Sequence, residues 1–387
     1  MKKIFFLISS MNIGGIEKSF LNLLSEIPLD KYEIHLGLMN LNGGLMAQVP
    51  SYVQIHHITC YKKHSEILNE PPIKIIKNTL KCKKFLKAFI LLCIYIINKI
   101  SKNRYLLYKY ILRKEPKFQI PVDLAIAYGG PSQLLDFYIC EKLIAPVKCG
   151  WIHFDVAKFG IDINITKILY RKYSKIFIVS KNAKDTFDNI FPQLKNKTTL
   201  FYNVINSKNL INIANKGESF SDDFDGIKLL TVGRLSQEKG QLLAIHALKN
   251  LIDKGYKVRW YFIGDGPLFN DCKKLAQELN VCNFVEFLGA KINPYGYLKD
   301  CDIYIQPSIH EGYCITLAEA LCFNKSIVST NFISASELLK NYKNSIIVDA
   351  QSIAISEGII KAISFPRQNE QHDFVQKNDI NELLGLI

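Results

Sequence analysis

A short apolar run, a glycine-containing turn and an amphipathic segment recur along this chain, and their recurrence limits the fold more than any single residue does. Ile4–Ser9 is a nearly continuous apolar run, typical of a strand buried on both faces of a parallel sheet. The loop Met11–Gly15 follows, and Ile16, Phe20, Leu23, Leu24 and Ile27 then return at helical spacing. Further strands are expected at Tyr32–Met39, Val53–Ile58, Val122–Tyr128, Val147–Phe154 and Lys175–Ser180. A polar interval over 206–226 has no sustained apolar period and reads as a linker. Strands then resume at Ile227–Val232, Val258–Ile263, Phe284–Leu288, Ile303–Gln306, Ile327–Thr330 and Ser345–Val348, with helices at Gln241–Ile252 and Leu268–Leu279 between the first of them. Helices between successive strands imply parallel, doubly wound sheets. At 387 residues there is room for two such domains, each with its own core. The expected division is an N-terminal domain over 1–205, the linker, a C-terminal domain over 227–365, and a terminal helical segment over 366–387 that packs back toward the N-terminal domain.

The formal net charge is +14, and its placement matters more than its size. Between Tyr61 and Lys117 there are 15 Lys/Arg against 3 Asp/Glu, so one section carries most of the excess. Within it, lysines, apolar residues and aromatics interleave as in helices that lie on anionic membrane surfaces. The apolar run Phe89–Ile97 is bounded by Lys87 and Lys99 and is too short to span a bilayer. The other reading is a helical insertion packed against its own domain. No nucleic-acid motif accompanies the basic patch, and nucleic acid is not expected as a partner. The ten cysteines show no C-x-x-C pair or zinc-ligand spacing; Cys93, Cys149, Cys314 and Cys322 lie in apolar runs and read as core residues, consistent with a reducing, cytoplasmic setting.

Several loops that follow strands carry polar or glycine residues. Gly14 and Gly15 lie where a phosphate or sugar could approach the backbone, or form an ordinary tight turn. The full dinucleotide fingerprint is absent. His153 lies near a strand's carboxyl end, where ligands bind in such folds, although an isolated histidine there is more often a hydrogen-bonded structural one. VGRLSQEKG puts Gly233, Arg234 and Lys239 before a helix, a good diphosphate site because cations and helix N–H groups act together. IGDGP, with Gly264, leaves room for a flat base, and FLG, with Leu288, ends a strand near a base edge. In PSIHEGYCITLAEAL, Glu311 lies in a turn and Glu319 in the helix that follows, which the sequence starts near Thr316. Thr316 through Glu319 also fits a capping box, in which Glu319 merely ties off the helix.

Taken in this order, VGRLSQEKG, IGDGP, FLG and PSIHEGYCITLAEAL resemble the retaining glycosyltransferases of family four. The likeness is strong in the C-terminal half and looser in the N-terminal half, where Gly14-Gly15, WIHFD and VSKNAKDTF carry it. The resemblance implies the GT-B fold, two Rossmann-like domains facing across a cleft. It also implies roles. Arg234 and Lys239 would contact the donor diphosphate, and Glu311 would bond the donor sugar near the Gly312 and Tyr313 amides. Glu319 would hold the ribose hydroxyls, and His153 would face the sugar. Gly14, Gly15, Gly233, Gly264 and Leu288 would complete the donor site. Two departures bear on the donor sugar. Cys314 stands where many relatives have glycine, and Thr330–Ser334 replaces a glycine-rich segment.

The only D-x-D match, Asp223-Phe-Asp225, lies in the expected linker, so no metal and no cofactor are expected, in keeping with the family. No carboxylate nucleophile is evident, and front-side transfer with retention is what the resemblance implies. The expectation is therefore a cytoplasmic, peripheral membrane enzyme. It would move a sugar from a nucleotide sugar, expected to be UDP-linked, to a lipid-linked glycan of a bacterial capsule, O-antigen or lipopolysaccharide. The alternatives are a sugar-nucleotide epimerase of the same architecture and an inactive nucleotide-sugar or membrane-binding module.

Overall fold

The computed structural model describes residues 1–157, 161–365 and 378–387. It divides into two compact units. The first comprises Met1–Val179, Ala183–Phe201 and Asp379–Ile387, and the second Ser180–Asn182 with Tyr202–Asn378.

The first unit is built on seven parallel strands: β1 (Lys2–Ile8), β2 (Tyr32–Leu38), β3 (Gln54–His57), β4 (Leu124–Gly130), β5 (Val147–Ile152), β6 (Lys175–Ile178) and β7 (Thr198–Leu200). Their order is β3-β2-β1-β4-β5-β6-β7, and every neighbouring pair is parallel. The second unit has six: β8 (Ile227–Val232), β9 (Val258–Ile263), β10 (Val285–Phe287), β11 (Ile303–Gln306), β12 (Ser326–Thr330) and β13 (Ser345–Val348). Their order is β10-β9-β8-β11-β12-β13, again all parallel. Both are doubly wound α/β sheets, as the strand and helix alternation requires. The central strands are apolar throughout because helices cover both faces. Ile4, Phe5, Phe6 and Leu7 are fully buried in β1, and Leu229 and Leu230 in β8. Each such side chain contributes about 1.5–3 kcal/mol to folding.

In each sheet the strand order reverses beside the first strand, between β1 and β4 in one unit and between β8 and β11 in the other. The chain winds away from that line in both directions, which leaves a crevice outside the strands' carboxyl ends. The loops after β8 and β11 are therefore the natural ligand loops of the second unit.

Three parts of the expected layout change. The interval 206–226 is not a bare linker. Ser207–Ala214 is a helix capped by the Asn206 side chain, with Leu210 and Ala214 buried, and it packs on the helix Tyr295–Asp300. Two anchoring residues suffice for two turns of helix but are too few to register as a period. In the terminal segment, 366–377 lie outside the described residues, and Asn381–Leu384 is a single short helical turn with Leu383 and Leu384 buried. Finally, the basic section folds into four helices, Cys60–Asn69, Pro72–Lys81, Phe85–Ser101 and Tyr105–Ile111.

The third of these is apolar almost all round, a pattern that normally means burial on every side. Here Ala88 and Leu91 are buried, while Phe85, Phe89, Leu92, Ile96 and Ile100, spaced as one helical stripe, are exposed. Phe89 is 64% exposed and Ile100 79%. The section therefore does not pack wholly against its own domain. No described helix is long and apolar enough to cross a membrane. All ten cysteines are free thiols; Cys149, Cys314 and Cys322 are buried as expected, and Cys93 is half-buried.

Candidate functional site

The crevice between β8 and β11 gathers the residues singled out in the C-terminal half. The loop after β8 runs from Gly233 to Gly240, where the helix Gln241–Asp253 begins. Gly240 adopts a left-handed conformation (φ 71°), and a Cβ there would lie 1.9 Å from the Pro307 carbonyl oxygen. Only glycine lets the loops after β8 and β11 touch in this way. The Ile309 N–H donates to the Glu238 carbonyl (2.8 Å), which joins the same two loops a second time. The loop after β9 is drawn in likewise. The Leu235 N–H donates to the Asp265 carbonyl (3.0 Å), and the Gly264 N–H to the Gly289 carbonyl (2.8 Å). A Cβ at Gly264 would lie 1.9 Å from the Gly233 carbonyl oxygen.

These contacts bring Lys239 against Glu311. The Lys239 Nζ donates to Glu311 Oε1 at 2.6 Å, and the same carboxylate oxygen accepts from Ser308 Oγ (2.7 Å) and, more weakly, from the Gln306 amide (3.4 Å). Burial alone would lower the Lys239 ammonium, but Glu311, then Cys314 and Glu238, hold it above its ordinary value, so it stays charged. Arg234 is exposed, with no carboxylate partner among the described residues. Its carbonyl accepts from the Gln241 amide (2.9 Å), which fixes the backbone beside the helix N-terminus. One committed cation, one uncommitted cation and a helix of thirteen residues entered through glycine together favour a polyanion.

Glu319 is not a capping residue. The helix is Ile315–Leu321 with Cys314 as its N-cap, so Thr316 is already its second residue and the capping-box register is lost. Thr316 Oγ1 donates instead to the Gln306 side chain (3.1 Å). Glu319 is fully buried, and its Oε1 accepts from the Tyr295 hydroxyl at 2.7 Å. Tyr295 lies 24 residues upstream, and nothing in the sequence marks it. Cys314 itself is left-handed (φ 64°), a backbone conformation that favours glycine. Thr330, in the segment that departs from the glycine-rich pattern, is buried and donates to the carbonyls of Gln306 and Ser308, so it too holds the turn in place.

Gly312 and Tyr313 are buried in that turn, and the Gly312 carbonyl accepts from Ser180 Oγ (3.1 Å), a residue grouped with the second unit. Leu288 departs from expectation in one respect. Its N–H donates to the Phe262 carbonyl (2.9 Å), so the base edge that it was to meet could use only its carbonyl. Asp225 of the D-x-D match pairs with Lys257 at 2.5 Å, and no cluster of metal ligands occurs among the described residues.

In the first unit, Gly14 is the N-cap of the helix Gly15–Leu24, with extended backbone, beside the point where the strand order reverses. His153 is buried just after β5, its N–H donating to the Gly130 carbonyl (3.2 Å) and its ring lying 4.6 Å from that of Tyr128. Sequence reading passed over Glu17. Burial pushes its carboxyl up to about 7, and an oxygen of that carboxyl lies 2.5 Å from where a Gly14 Cβ would be. An acid in the first turn of a helix is usual for the dipole, which hid it.

Comparison with known proteins agrees with this geometry. Residues 217–379 match the family model described as glycosyl transferases group 1. The chain is 28% identical over 340 residues to the N-acetylgalactosamine-N,N'-diacetylbacillosaminyl-diphospho-undecaprenol 4-alpha-N-acetylgalactosaminyltransferase of Campylobacter jejuni, with 88% of this chain and 83% of that protein aligned. It is 32% identical over 181 residues to an uncharacterized glycosyltransferase of Methanocaldococcus jannaschii, an alignment that spans 45% of each, so less than half of that relative's length. Among solved structures, that of HepE from Anabaena with UDP-glucose covers 94% of this chain and 90% of its own, with a TM-score of 0.63 at 16% identity, a likeness of fold. The match to the glycosyl transferases group 1 model thus takes in every strand of the second sheet, β8 through β13, and the likeness to HepE extends to the fold of the chain.

Proposed function

We propose that the protein is a retaining, metal-independent glycosyltransferase that takes a UDP-sugar as donor and a lipid-linked glycan of the bacterial envelope as acceptor. The observation that carries this reading is the Lys239–Glu311 pair beside Arg234 where the second sheet's strand order reverses. Sugar transfer needs positive charge where the diphosphate departs and a polar anchor on the sugar, and the crevice supplies both within one shell. In this reading Arg234 and Lys239 take the diphosphate, and Lys239 relaxes its hold on Glu311 as the donor enters. Glu311 then bonds the sugar hydroxyls beside Gly312 and Tyr313, and Glu319, steadied by Tyr295, receives the ribose. Gly233 and Gly264 allow the nucleotide close to the backbone, with Leu288 at the base. His153, Gly14 and Gly15 serve the sugar and acceptor from the first unit. The acceptor class is supported by the Campylobacter relative, whose name specifies a diphospho-undecaprenol substrate and an alpha linkage.

The exposed apolar stripe of Phe85–Ser101 and the exposed lysines 74, 77, 81, 83, 84 and 87 support docking on an anionic membrane face, where such an acceptor resides. The test is a panel of nucleotide sugars incubated with a diphospholipid-linked glycan in the presence of EDTA, with the product's anomeric configuration read by NMR. An alpha product from a UDP-sugar supports the reading. Inversion overturns the retaining assignment, and no transfer or donor hydrolysis from any nucleotide sugar overturns the enzyme.

A further inference from the structure

The helices of the basic section line a half-open pocket of about 520 Å³. Leu68, Ile75, Leu91, Ile94, Tyr95 and Leu107 form most of its wall. The lining also carries polar side chains, Asn98, Lys99 and Arg104 together with Asn69 and Glu70. The Arg104 guanidinium makes a long contact to the Leu68 carbonyl (3.5 Å) and lies 5.9 Å from the Tyr108 ring centre, while its backbone N–H donates to the Asp162 carboxylate (3.3 Å). Neither Arg104 nor Lys99 has an ion-pair partner among the described residues. The nearby carboxylate, Glu70, is engaged by Lys74 at 2.8 Å. The Asn98 amide oxygen is buried without a hydrogen-bond partner among the described residues. An apolar pocket whose lining carries two cations without ion-pair partners among the described residues matches an amphiphile with an anionic head.

We propose that this cavity takes one hydrocarbon chain of a lipid phosphate or diphosphate, with the headgroup on Arg104 and Lys99. The helix Phe85–Ser101 then has two apolar jobs. Leu91, Ile94 and Tyr95 line the slot, while Phe85, Phe89, Leu92, Ile96 and Ile100 meet the surrounding lipid. The proposal deepens the lipid-acceptor reading, and its place in the reaction rests on that reading.

The test uses the full chain and calorimetric titration of four probes below their micelle concentrations: a C15 isoprenyl diphosphate, hexadecyl phosphate, the free C15 prenol and inorganic diphosphate. Chain-bearing anions should bind at least tenfold more tightly than inorganic diphosphate or the prenol. Ile94→Trp fills the slot and should abolish that preference, and Arg104→Ala should weaken binding about tenfold, as for the loss of a charged hydrogen bond. Leu107→Phe, a smaller filling change, serves if Ile94→Trp melts early, and should also weaken chain binding. Preference for the isoprenyl probe assigns the slot to a carrier lipid, and equal binding of hexadecyl phosphate assigns it to lipid phosphates generally; both support the proposal. Undiminished binding in the folded, filled variants, or equal binding of inorganic diphosphate, overturns it. UDP binding is measured in the same samples. Lipid binding without UDP binding would sink the glycosyltransferase reading and leave the cavity standing, and the reverse would sink the cavity alone.

Discussion

Gly240 and Gly255 make a controlled pair for testing how the second unit's site is held together. Both adopt left-handed backbone, with φ of 71° and 82°. An alanine in that conformation costs about 1–2 kcal/mol, whichever site it occupies. Around Gly255 a Cβ meets nothing within 4 Å, so strain is the whole cost of Gly255→Ala. At Gly240 the same atom would lie 1.9 Å from the Pro307 carbonyl oxygen, a backbone atom pinned at the end of β11. Overpacking of that kind adds about 1–3 kcal/mol, so Gly240→Ala should lose about 2–5 kcal/mol in all. The loops can relieve the clash only by parting, which pulls Lys239 away from Glu311. Gly240→Ala should therefore also lose UDP affinity, and Gly255→Ala should not. Urea unfolding read through Trp260, in a Trp151→Phe background so that only the second unit reports, gives the stability term. Calorimetry gives the affinity. If Gly240→Ala unfolds at the same urea concentration as Gly255→Ala and binds UDP as the parent does, the close approach does not hold the site, and the reasoning fails.

Tyr295→Phe removes the hydroxyl that donates to buried Glu319. It should destabilise the second unit by about 1–3 kcal/mol and weaken UDP binding through Glu319, and donor titration of the folded variant checks the second part. Asp136 is fully buried against Tyr173 (2.6 Å), and burial raises its carboxyl from 3.8 to about 7. The folded state therefore binds a proton that the unfolded chain releases, so this stabilisation is complete below about pH 4 and lost as pH rises through about 7. Up to about 4 kcal/mol of unfolding free energy should disappear across that window, and Asp136→Asn should flatten the slope in urea titrations taken between pH 4 and 8. Reversing Lys81, Lys83, Lys84 and Lys87 to Glu should release the protein from anionic vesicles, since each lysine near such a surface contributes about 1 kcal/mol. Co-sedimentation that is indifferent to these changes and to salt would mean that charge does not dock it.

Most of the sheet architecture could be read beforehand because strands buried on both faces carry unbroken apolar runs. β8, β9, β11 and β13 begin and end where the apolar pattern does. Thr198–Leu200 escaped because three residues hold no period, and Ser207–Ala214 because two buried side chains are all that anchor it. The candidate donor-site residues were legible as an ordered set of loops, and the structure brings Arg234, Lys239, Glu311 and the strand-end glycines to one crevice. What tied them together was not legible. Tyr295 meets Glu319 through tertiary packing, and Glu17 owes its high pKa to burial that one acid in a helical first turn does not announce. Cys314 looked like a departure from pattern, and only the structure reveals that it has a left-handed backbone just before the helix, a conformation that favours glycine.

The claim on which everything else depends is that Arg234 and Lys239 hold a nucleoside diphosphate. Calorimetric titration of UDP into the parent, Arg234→Ala and Lys239→Ala, with EDTA present, tests it most directly. Each charged hydrogen bond to phosphate contributes about 1.5–3 kcal/mol, so each variant should bind about ten- to hundredfold more weakly while melting within a few degrees of the parent. Parent-like UDP affinity in both folded variants would contradict the account.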